Sequence, residues 1–334
     1  MPPFSPSSAS TDHSVRRECN SCDRKYCGYT HLVSESKIDH RQRPVISVIE
    51  AHRQTEGGGF VVRRPFPTAE IDNLDPFLLL DEMGPTDYGP GEAIGAPDHP
   101  HRGFETVTYL LDGAMEHRDS TGAHGVINPG AVQWMTAGAG VVHSEMPTPD
   151  IMARGGRAHG FQIWVNLRAE DKMIPPRYQG FEASELTHTE LQHGGRLRVI
   201  AGTIGGLTGP VDTTSPATYG HASLAPGDQI DWDVPPGHTA FVYVFSGAAT
   251  VNGTDAEDGQ LVLVSRDEGG VTVANHADAT AEVLLLAGEP LGEPIARYGP
   301  FVMNTRQELI EAFDDFQAGR LGSIPAAGTG VHRN

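Results

Sequence analysis

Cysteine is scarce in this chain of 334 residues, since there are only three cysteines and all of them lie before residue 28. So few thiols cannot form a disulfide framework for a chain of this size, which agrees with a reducing compartment. The sequence also lacks any apolar run near the ~18 residues that a membrane-spanning helix needs, and its N-terminus lacks the apolar core of a secretion signal. We therefore expect a soluble, cytoplasmic protein with no membrane partner.

Positive charge is also in short supply, because 24 Lys and Arg residues stand against 43 Asp and Glu residues and leave a formal net charge of −19. Proteins that bind nucleic-acid backbones do so mainly by neutralising phosphates with Lys and Arg. The composition therefore argues against direct nucleic-acid binding. This negative charge could attract a basic protein partner, and it could equally serve only to keep the protein soluble.

Glycine (40 residues) and proline (25 residues) are abundant, which suits many short strands joined by turns rather than a helical protein. From Arg43 onwards, β-rich segments with turn residues every ~8 to 12 positions follow the pattern of a sandwich or small barrel. A chain of this length exceeds the usual single core, so two domains of about 150 residues are expected. The sequence thus predicts an all-β protein.

An internal repeat indicates that the β domain is duplicated. Residues 108–113 (TYLLDG) have a counterpart in residues 242–247 (VYVFSG), and this shift of 134 residues is about one domain. The turn at residues 129–130 matches the turn at residues 258–259 with a shift of 129. We therefore predict two tandem β-barrels.

The last periodic segment predicts a short C-terminal helix. Thr305 and Glu308 form a capping box, which is a sequence signal for the start of a helix. Four apolar residues behind the box would form one face that docks on a barrel: Leu309, Ile310, Phe313 and Phe316. The predicted divisions are a flexible extension (1–43), a first, metal-binding barrel (44–185), a second, metal-free barrel (186–304) and the helix (305–320).

Two short motifs carry side chains that can bind a metal. In an extended strand, residues i and i+2 leave the same face, so His99 and His101 aim both imidazoles into one space. Pro100 holds this tripeptide extended, because its ring excludes the preceding residue from the helical region. His143 and Glu145 have the same spacing. The two pairs could enclose one ion with three imidazoles and one carboxylate.

The repeat predicts which barrel carries this chemistry. At the first shift, His99 and His101 map to Asp233 and Pro235, which cannot form an equivalent pair. At the second shift, His143 and Glu145 map to residues 272 and 274, a threonine and an alanine. We therefore expect the metal in the first barrel only.

A separate cluster in the N-terminal extension has the pattern C-x2-C-x4-C-x3-H and consists of Cys19, Cys22, Cys27 and His31. Such ligands could close a small zinc site. The other interpretation is three loose thiols in a disordered tail, since a single CxxC without surrounding strand or helix signals is weak evidence. The sequence does not decide between them.

Several longer blocks together resemble the pirin family of bicupins. The blocks are PHRGFETVTYLL, NPGAVQWMTAGAGVVHSEMP, GFQIWVNL and GEPLGEPIARYGPFVMNT, and with their surroundings they extend from about residue 45 to 320. The resemblance implies two tandem cupin (jelly-roll) β-barrels. It also implies one metal in the N-terminal cupin, bound at the matching positions His99, His101, His143 and Glu145.

One acid near the histidines leaves an alternative open. The general cupin pattern offers its carboxylate a few residues after the paired histidines, which here is Glu105. Strand parity does not exclude it, because Glu105 lies an even number of residues after His101. The pirin resemblance favours Glu145 as the ligand, with Glu105 as a supporting or core acid.

The donor set suits Fe(II) and also Mn, Ni, Cu or Zn, and the family resemblance favours iron. Octahedral coordination would leave two positions for a substrate oxygen and for O2 or water. Some bacterial pirins have quercetin 2,3-dioxygenase activity, so a flavonol and O2 are the implied partners. In that reaction Glu145 would bind or flank the metal and accept the proton of the flavonol 3-hydroxyl.

The resemblance also supports a function of another class. Other pirins are metal-dependent partners of transcription factors or metabolic enzymes, in which the oxidation state of iron would change a surface and so the affinity for a regulatory protein. A third interpretation is a metal that is only structural. For all three, we expect a monomer.

Overall fold

The computed structural model describes residues 42–56 and 59–325, and these residues form twenty-six strands and two helices. The elements of the first half are β1 (Val45–Glu50), β2 (His52–Glu56), β3 (Phe60–Phe66), β4 (Phe77–Tyr88), β5 (Ala96–His101), β6 (Phe104–Asp112), β7 (Met115–Asp119), β8 (His124–Ile127), β9 (Val132–Thr136), β10 (Val141–Pro147), α1 (Pro149–Arg154), β11 (Gly156–Asn166) and β12 (Arg177–Phe181). Those that follow are β13 (Thr187–Glu190), β14 (Arg196–Ala201), β15 (Thr203–Ile204), β16 (Leu207–Thr208), β17 (Ala217–Leu224), β18 (Gln229–Asp233), β19 (Thr239–Ser246), β20 (Ala248–Val251), β21 (Thr254–Glu257), β22 (Gln260–Val264), β23 (Gly270–Ala274), β24 (Ala281–Gly288), β25 (Ala296–Tyr298), β26 (Phe301–Met303) and α2 (Arg306–Gln317). The all-β prediction is confirmed.

Each barrel combines a seven-stranded and a four-stranded antiparallel sheet. The first barrel has the orders β12-β9-β6-β11-β4-β3-β2 and β5-β10-β7-β8, and the second has β1-β22-β19-β24-β17-β14-β13 and β18-β23-β20-β21. The orders match position by position, and the repeated segments predicted from the sequence lie on β6 and β19, which hold the same central place. The prediction of two tandem barrels is confirmed.

The N-terminal strand β1 lies in the sheet of the second barrel, where it pairs with β22. The equivalent place in the first barrel is taken by β12, which pairs with β9. The strands β1 and β12 therefore hold equivalent places in the two sheets, although β1 precedes the strands of the first repeat and β12 follows them. The exact domain limits given above stay a prediction.

A large apolar core lies between the two seven-stranded sheets. It joins side chains of the first half, such as Phe77 and Val107, to side chains of the second half, such as Phe241 and Tyr243. Phe77 and Phe241 meet edge to face with ring centroids 5.2 Å apart. Burial of this apolar surface holds the two barrels together.

The interiors of the two barrels differ in polarity. The second barrel is filled by an apolar cluster of Val, Ala, Leu and Ile side chains around Trp232. The first encloses buried polar side chains, among them Thr108, Gln133 and Glu145, which hydrogen-bond to one another. Burying polar groups is unfavourable unless they are bonded, so a polar interior points to a site rather than to a stabilising core.

The C-terminal segment docks on the first barrel. Helix α2 begins with the predicted capping box, in which Thr305 and Glu308 bond to each other's backbone N–H groups. Leu309 packs with Val142 of β10 and Phe301 of β26. The predicted apolar face is only partly buried, because Ile310 is 47% exposed and Phe316 is 39% exposed. Neither helix in the described residues is long and apolar enough to cross a membrane.

Candidate metal centre

The three predicted histidines come together where β5 pairs with β10. His99 lies directly opposite His143, and His101 lies opposite Val141. The ring centroid of His143 is 4.3 Å from that of His99 and 5.0 Å from that of His101. One ligand nitrogen of each ring lies within 4.8 Å of the others.

Each of these rings has its Nδ1 engaged by a neighbour. Nδ1 of His99 lies 2.7 Å from the Pro97 carbonyl oxygen, and Nδ1 of His101 lies 3.3 Å from that of Pro300. Nδ1 of His143 lies 3.5 Å from Nδ1 of a further histidine, His117. A neutral imidazole that donates through Nδ1 carries its lone pair on Nε2, and these tautomers are assigned from the bonds.

The donor chemistry therefore fits a metal ion. Nε2 of His143 is buried and has no hydrogen-bond partner among the described residues. A bound metal ion would give this nitrogen a partner. Burial is the main cause that lowers the pKa of His101 to about 3, and the neighbouring His99 is the second. Burial and the adjacent histidines also lower the pKa of His143 well below its usual range. Both rings are neutral at pH 7, which is the form that binds a metal.

Glu145 lies beside the three histidines rather than within their group. Its Oε1 accepts hydrogen bonds from Thr108 Oγ1 at 2.7 Å and from Gln133 Nε2 at 2.8 Å. The carboxylate belongs to a second, fully buried group with His117 and His143, whose ligand atoms also lie within 4.8 Å of one another. Both groups found in the described residues lie in the first barrel and share His143.

Glu105 faces away from the histidines. It is fully buried, and its Oε1 accepts hydrogen bonds from Thr136 at 2.7 Å and from Thr214, in the second half, at 2.9 Å. Its neighbours Val107 and Tyr109, on the same strand face, belong to the core between the barrels. Burial raises the pKa of Glu105. Glu105 is therefore a buried acid of the interface between the barrels.

Sequence reasoning missed His117 and Asp119 on β7. Both are buried, and they lie opposite Glu145 and His143 respectively in the β7–β10 pairing. Their i, i+2 spacing in a strand-like segment is the same signal that identified the other motifs. That signal could have found them.

The turn after His101 is fixed by contacts with α2 and with Lys172. Arg102 is buried and pairs with Asp315 of α2 at 2.8 Å. Nζ of the buried Lys172 donates to the carbonyl oxygens of Gly103 at 2.7 Å and Val302 at 3.1 Å. These bonds position the strand that carries His99 and His101.

The possible zinc cluster of Cys19, Cys22, Cys27 and His31 lies outside the described residues, as does most of the predicted extension. Arg43, the last residue assigned to that extension, is 1% exposed and bonded within the second barrel.

Comparisons with known proteins agree with this architecture. Residues 59–165 match the family model described as Pirin, and residues 219–322 match the one described as Pirin C-terminal cupin domain. The chain is 43% identical over 273 residues to a putative quercetin 2,3-dioxygenase of Pseudomonas aeruginosa, covering 81% of this chain and 95% of that protein. It is 40% identical over 285 residues to pirin of Homo sapiens, covering 84% and 94%.

Solved structures give the same result. A crystal structure of quercetin 2,3-dioxygenase from Acinetobacter baumannii has a TM-score of 0.79 and 40% identity, and covers 85% of this chain and 100% of that one. A bacterial pirin from Escherichia coli in complex with nickel(II) has the same fold, with a TM-score of 0.57, 23% identity and coverage of 73% and 99%. The resemblance predicted from the sequence blocks is confirmed, and the chain belongs to the pirin family.

Proposed function

We propose that this chain is a metal-dependent dioxygenase that opens the ring of a flavonol such as quercetin with O2. The observation that carries the proposal is the convergence of three imidazoles whose Nδ1 atoms are engaged and whose Nε2 atoms are left to bind an ion. Relatives named for quercetin 2,3-dioxygenase, at 40% and 43% identity, supply the substrate class.

The proposed ligands are His99, His101, His143 and Glu145. Three imidazoles and a carboxylate suit Fe(II), and Mn, Ni, Cu and Zn accept the same donors, so iron is proposed on the family resemblance. When bound, the ion would supply a Lewis acid for the substrate oxygen and the redox chemistry that a reaction with O2 requires. The chain's own residues supply the orientation and the proton transfer.

Glu145 is the proposed proton acceptor. Because Thr108 and Gln133 both donate to Oε1, the carboxylate is held in one orientation, and Oε2 is the oxygen proposed to face the ion or the substrate. A carboxylate in this position can take the proton of the flavonol 3-hydroxyl and leave an electron-rich enolate that reacts with O2.

The substrate would approach from the side of His99. This imidazole is partly exposed, whereas His101 and His143 are buried. Behind His101 lie the rings of Phe104, at a centroid distance of 5.1 Å, and of Trp164, at 5.3 Å. Phe104 is fully buried, so its ring excludes water from this side of His101.

The test compares two acids in the same barrel. Fe(II)-loaded wild type, Glu145→Gln and Glu105→Gln are mixed with quercetin, and O2 consumption is followed together with loss of the flavonol absorbance. We expect Glu145→Gln to slow turnover by about 100-fold or more, the usual contribution of a general base, and Glu105→Gln to stay within a few-fold of wild type. Equal rates for wild type and Glu145→Gln would end the role of Glu145, and no turnover in wild type would end the dioxygenase proposal.

A second candidate function is metal-dependent binding of a regulatory protein. The observation that favours it is the bond of His101 to the Pro300 carbonyl, which joins the site to the C-terminal segment. That segment presents Tyr298 with 69% exposure and Ile310 with 47%. Capture of a partner by the Fe(II) form and not by the Fe(III) form, without quercetin turnover, would favour this function.

A further inference from the structure

The β7–β10 pairing builds a block of four inward-facing polar side chains. His117 lies opposite Glu145, and Asp119 lies opposite His143. His117 has no exposed surface, and the ring of Tyr178 stacks over it with centroids 4.7 Å apart and planes inclined by 29°. The block therefore encloses one face of the proposed metal site.

The hydrogen bonds in this block converge on the carboxylate of Asp119. Oδ1 of Asp119 accepts from the backbone N–H and hydroxyl of Thr121, at 2.8 and 2.7 Å, and from the backbone N–H of Ala123 at 3.1 Å. Oδ2 of Asp119 lies 3.2 Å from Nε2 of His117. A carboxylate only accepts hydrogen bonds, so Nε2 of His117 is the donor.

That assignment propagates to the proposed ligand. With Nε2 of His117 donating to Asp119, Nδ1 is the ring nitrogen left to accept a hydrogen bond, and Nδ1 of His143 lies 3.5 Å away. Nδ1 of His143 therefore carries the proton and donates, which leaves the lone pair of His143 on its buried, unpartnered Nε2. Asp119 thus selects the tautomer of His143 through His117.

We propose that His117 and Asp119 are positioning residues that fix the tautomer and ring orientation of His143 for metal binding. This inference rests on the metal site proposed above. Backbone carbonyls perform the same task for His99 and His101, whereas His143 depends on two side chains. A partner behind a ligating imidazole raises its basicity as well as fixing its orientation.

Direct metal binding by His117 is the competing role, because its ligand atom lies within 4.8 Å of those of His143 and Glu145. Both nitrogens of His117 already have partners, Asp119 on one side and His143 on the other. The positioning role uses both nitrogens as they stand, and a direct role would require one of these bonds to break.

Two substitutions at residue 117 separate these roles. His117→Phe keeps a ring against Tyr178 and removes the acceptor. His117→Asn places an amide oxygen near the former Nδ1 and can restore the acceptor to His143. The full chain is loaded with Co(II), its affinity is measured by competition with a chelator, and the hyperfine-shifted N–H resonances of the ligating imidazoles are recorded in H2O.

We expect His117→Phe to weaken Co(II) binding by about 10- to 100-fold, the usual effect of losing such a partner, and to shift or remove one N–H resonance. His117→Asn should recover affinity to within a few-fold of wild type, and the metal-free melting temperatures should agree. Unchanged affinity and resonances in His117→Phe would overturn the inference while the metal site stands. Equal losses in both variants would also overturn it in favour of direct binding, and wild type that binds no Co(II) would overturn the site itself.

Discussion

Lys172 is a buried charged side chain that supports the site. Its side chain is 1% exposed, and Nζ donates to Gly103, Asn166 and Val302, which belong to three separate parts of the chain. Burial lowers its pKa from 10.5 to about 8. The ammonium is therefore held by good acceptors and disfavoured by its surroundings at the same time.

This shift predicts a pH dependence of stability. Below pH 8 the folded and unfolded chains both carry the proton, so the folded state bears the full cost of the buried charge. Between pH 8 and 10.5 only the unfolded chain binds the proton, so stability from this group rises with pH. The unfolding free energy of wild type minus that of Lys172→Met should therefore increase by about 1 to 3 kcal/mol from pH 7 to 10, as measured by urea titrations. A constant difference would contradict the assignment.

Residue patterns predicted the ligand candidates and did not predict their surroundings. The i, i+2 spacing of His99 with His101 and of His143 with Glu145 is local information, which a sequence carries. The direction of Glu105 depends on the turn between β5, which ends at His101, and β6, which begins at Phe104, because this turn interrupts the alternation of side chains. The bond from His101 to Pro300 joins residues 199 positions apart, and no local pattern reveals it.

The turn between β5 and β6 is the element that couples the histidines to the C-terminal segment. Gly103 has a φ of +88°, and a Cβ there would lie 2.0 Å from the carbonyl oxygen of Val302. Gly122 has nearly the same φ, +89°, and open space around its Cβ position. Comparing substitutions at the two glycines therefore distinguishes the effect of close packing from the effect of backbone strain.

Alanine at these two positions should have different effects. Gly122→Ala adds only the strain of a positive φ, about 1 kcal/mol, whereas Gly103→Ala also drives apart two backbone segments and should cost about 3 kcal/mol or more. Gly103→Ala should weaken metal binding as well, because the turn follows His101 directly. Urea unfolding measures both losses, and equal losses would show that the contact with Val302 is unimportant.

In the whole molecule, the N-terminal strand β1 crosses to the second barrel, while β12 takes the equivalent place in the first. The repeat predicted two barrels because duplicated segments leave a trace in the sequence. It did not predict that β1 pairs with β22, more than 200 residues away, because strand partners at that distance are chosen by the assembled sheets. Arg43 precedes this strand and is 1% exposed.

Arg43 should therefore be important for the second barrel. Its guanidinium donates to five backbone carbonyl oxygens: those of Val234, Pro235, His238, Ser265 and Gly269. We expect Arg43→Met to lower the free energy of unfolding by about 2 to 4 kcal/mol, since it leaves buried acceptors unpaired. Arg53→Met, at an exposed position on β2, serves as the control and should change it by less than about 0.5 kcal/mol. Similar effects of both substitutions would argue against an anchoring role.

The proposed chemistry requires a single metal site in the first barrel, and the metal content of the protein measures that site. Wild type, His143→Ala and His276→Ala are reconstituted anaerobically with Fe(II), freed of excess metal and analysed for iron, with metal-free melting temperatures as a check of folding. His276 is an exposed histidine of the second half and serves as the control. We expect one iron per chain in wild type and His276→Ala, and less than about a tenth of that in His143→Ala. Equal iron content in wild type and a folded His143→Ala would contradict it.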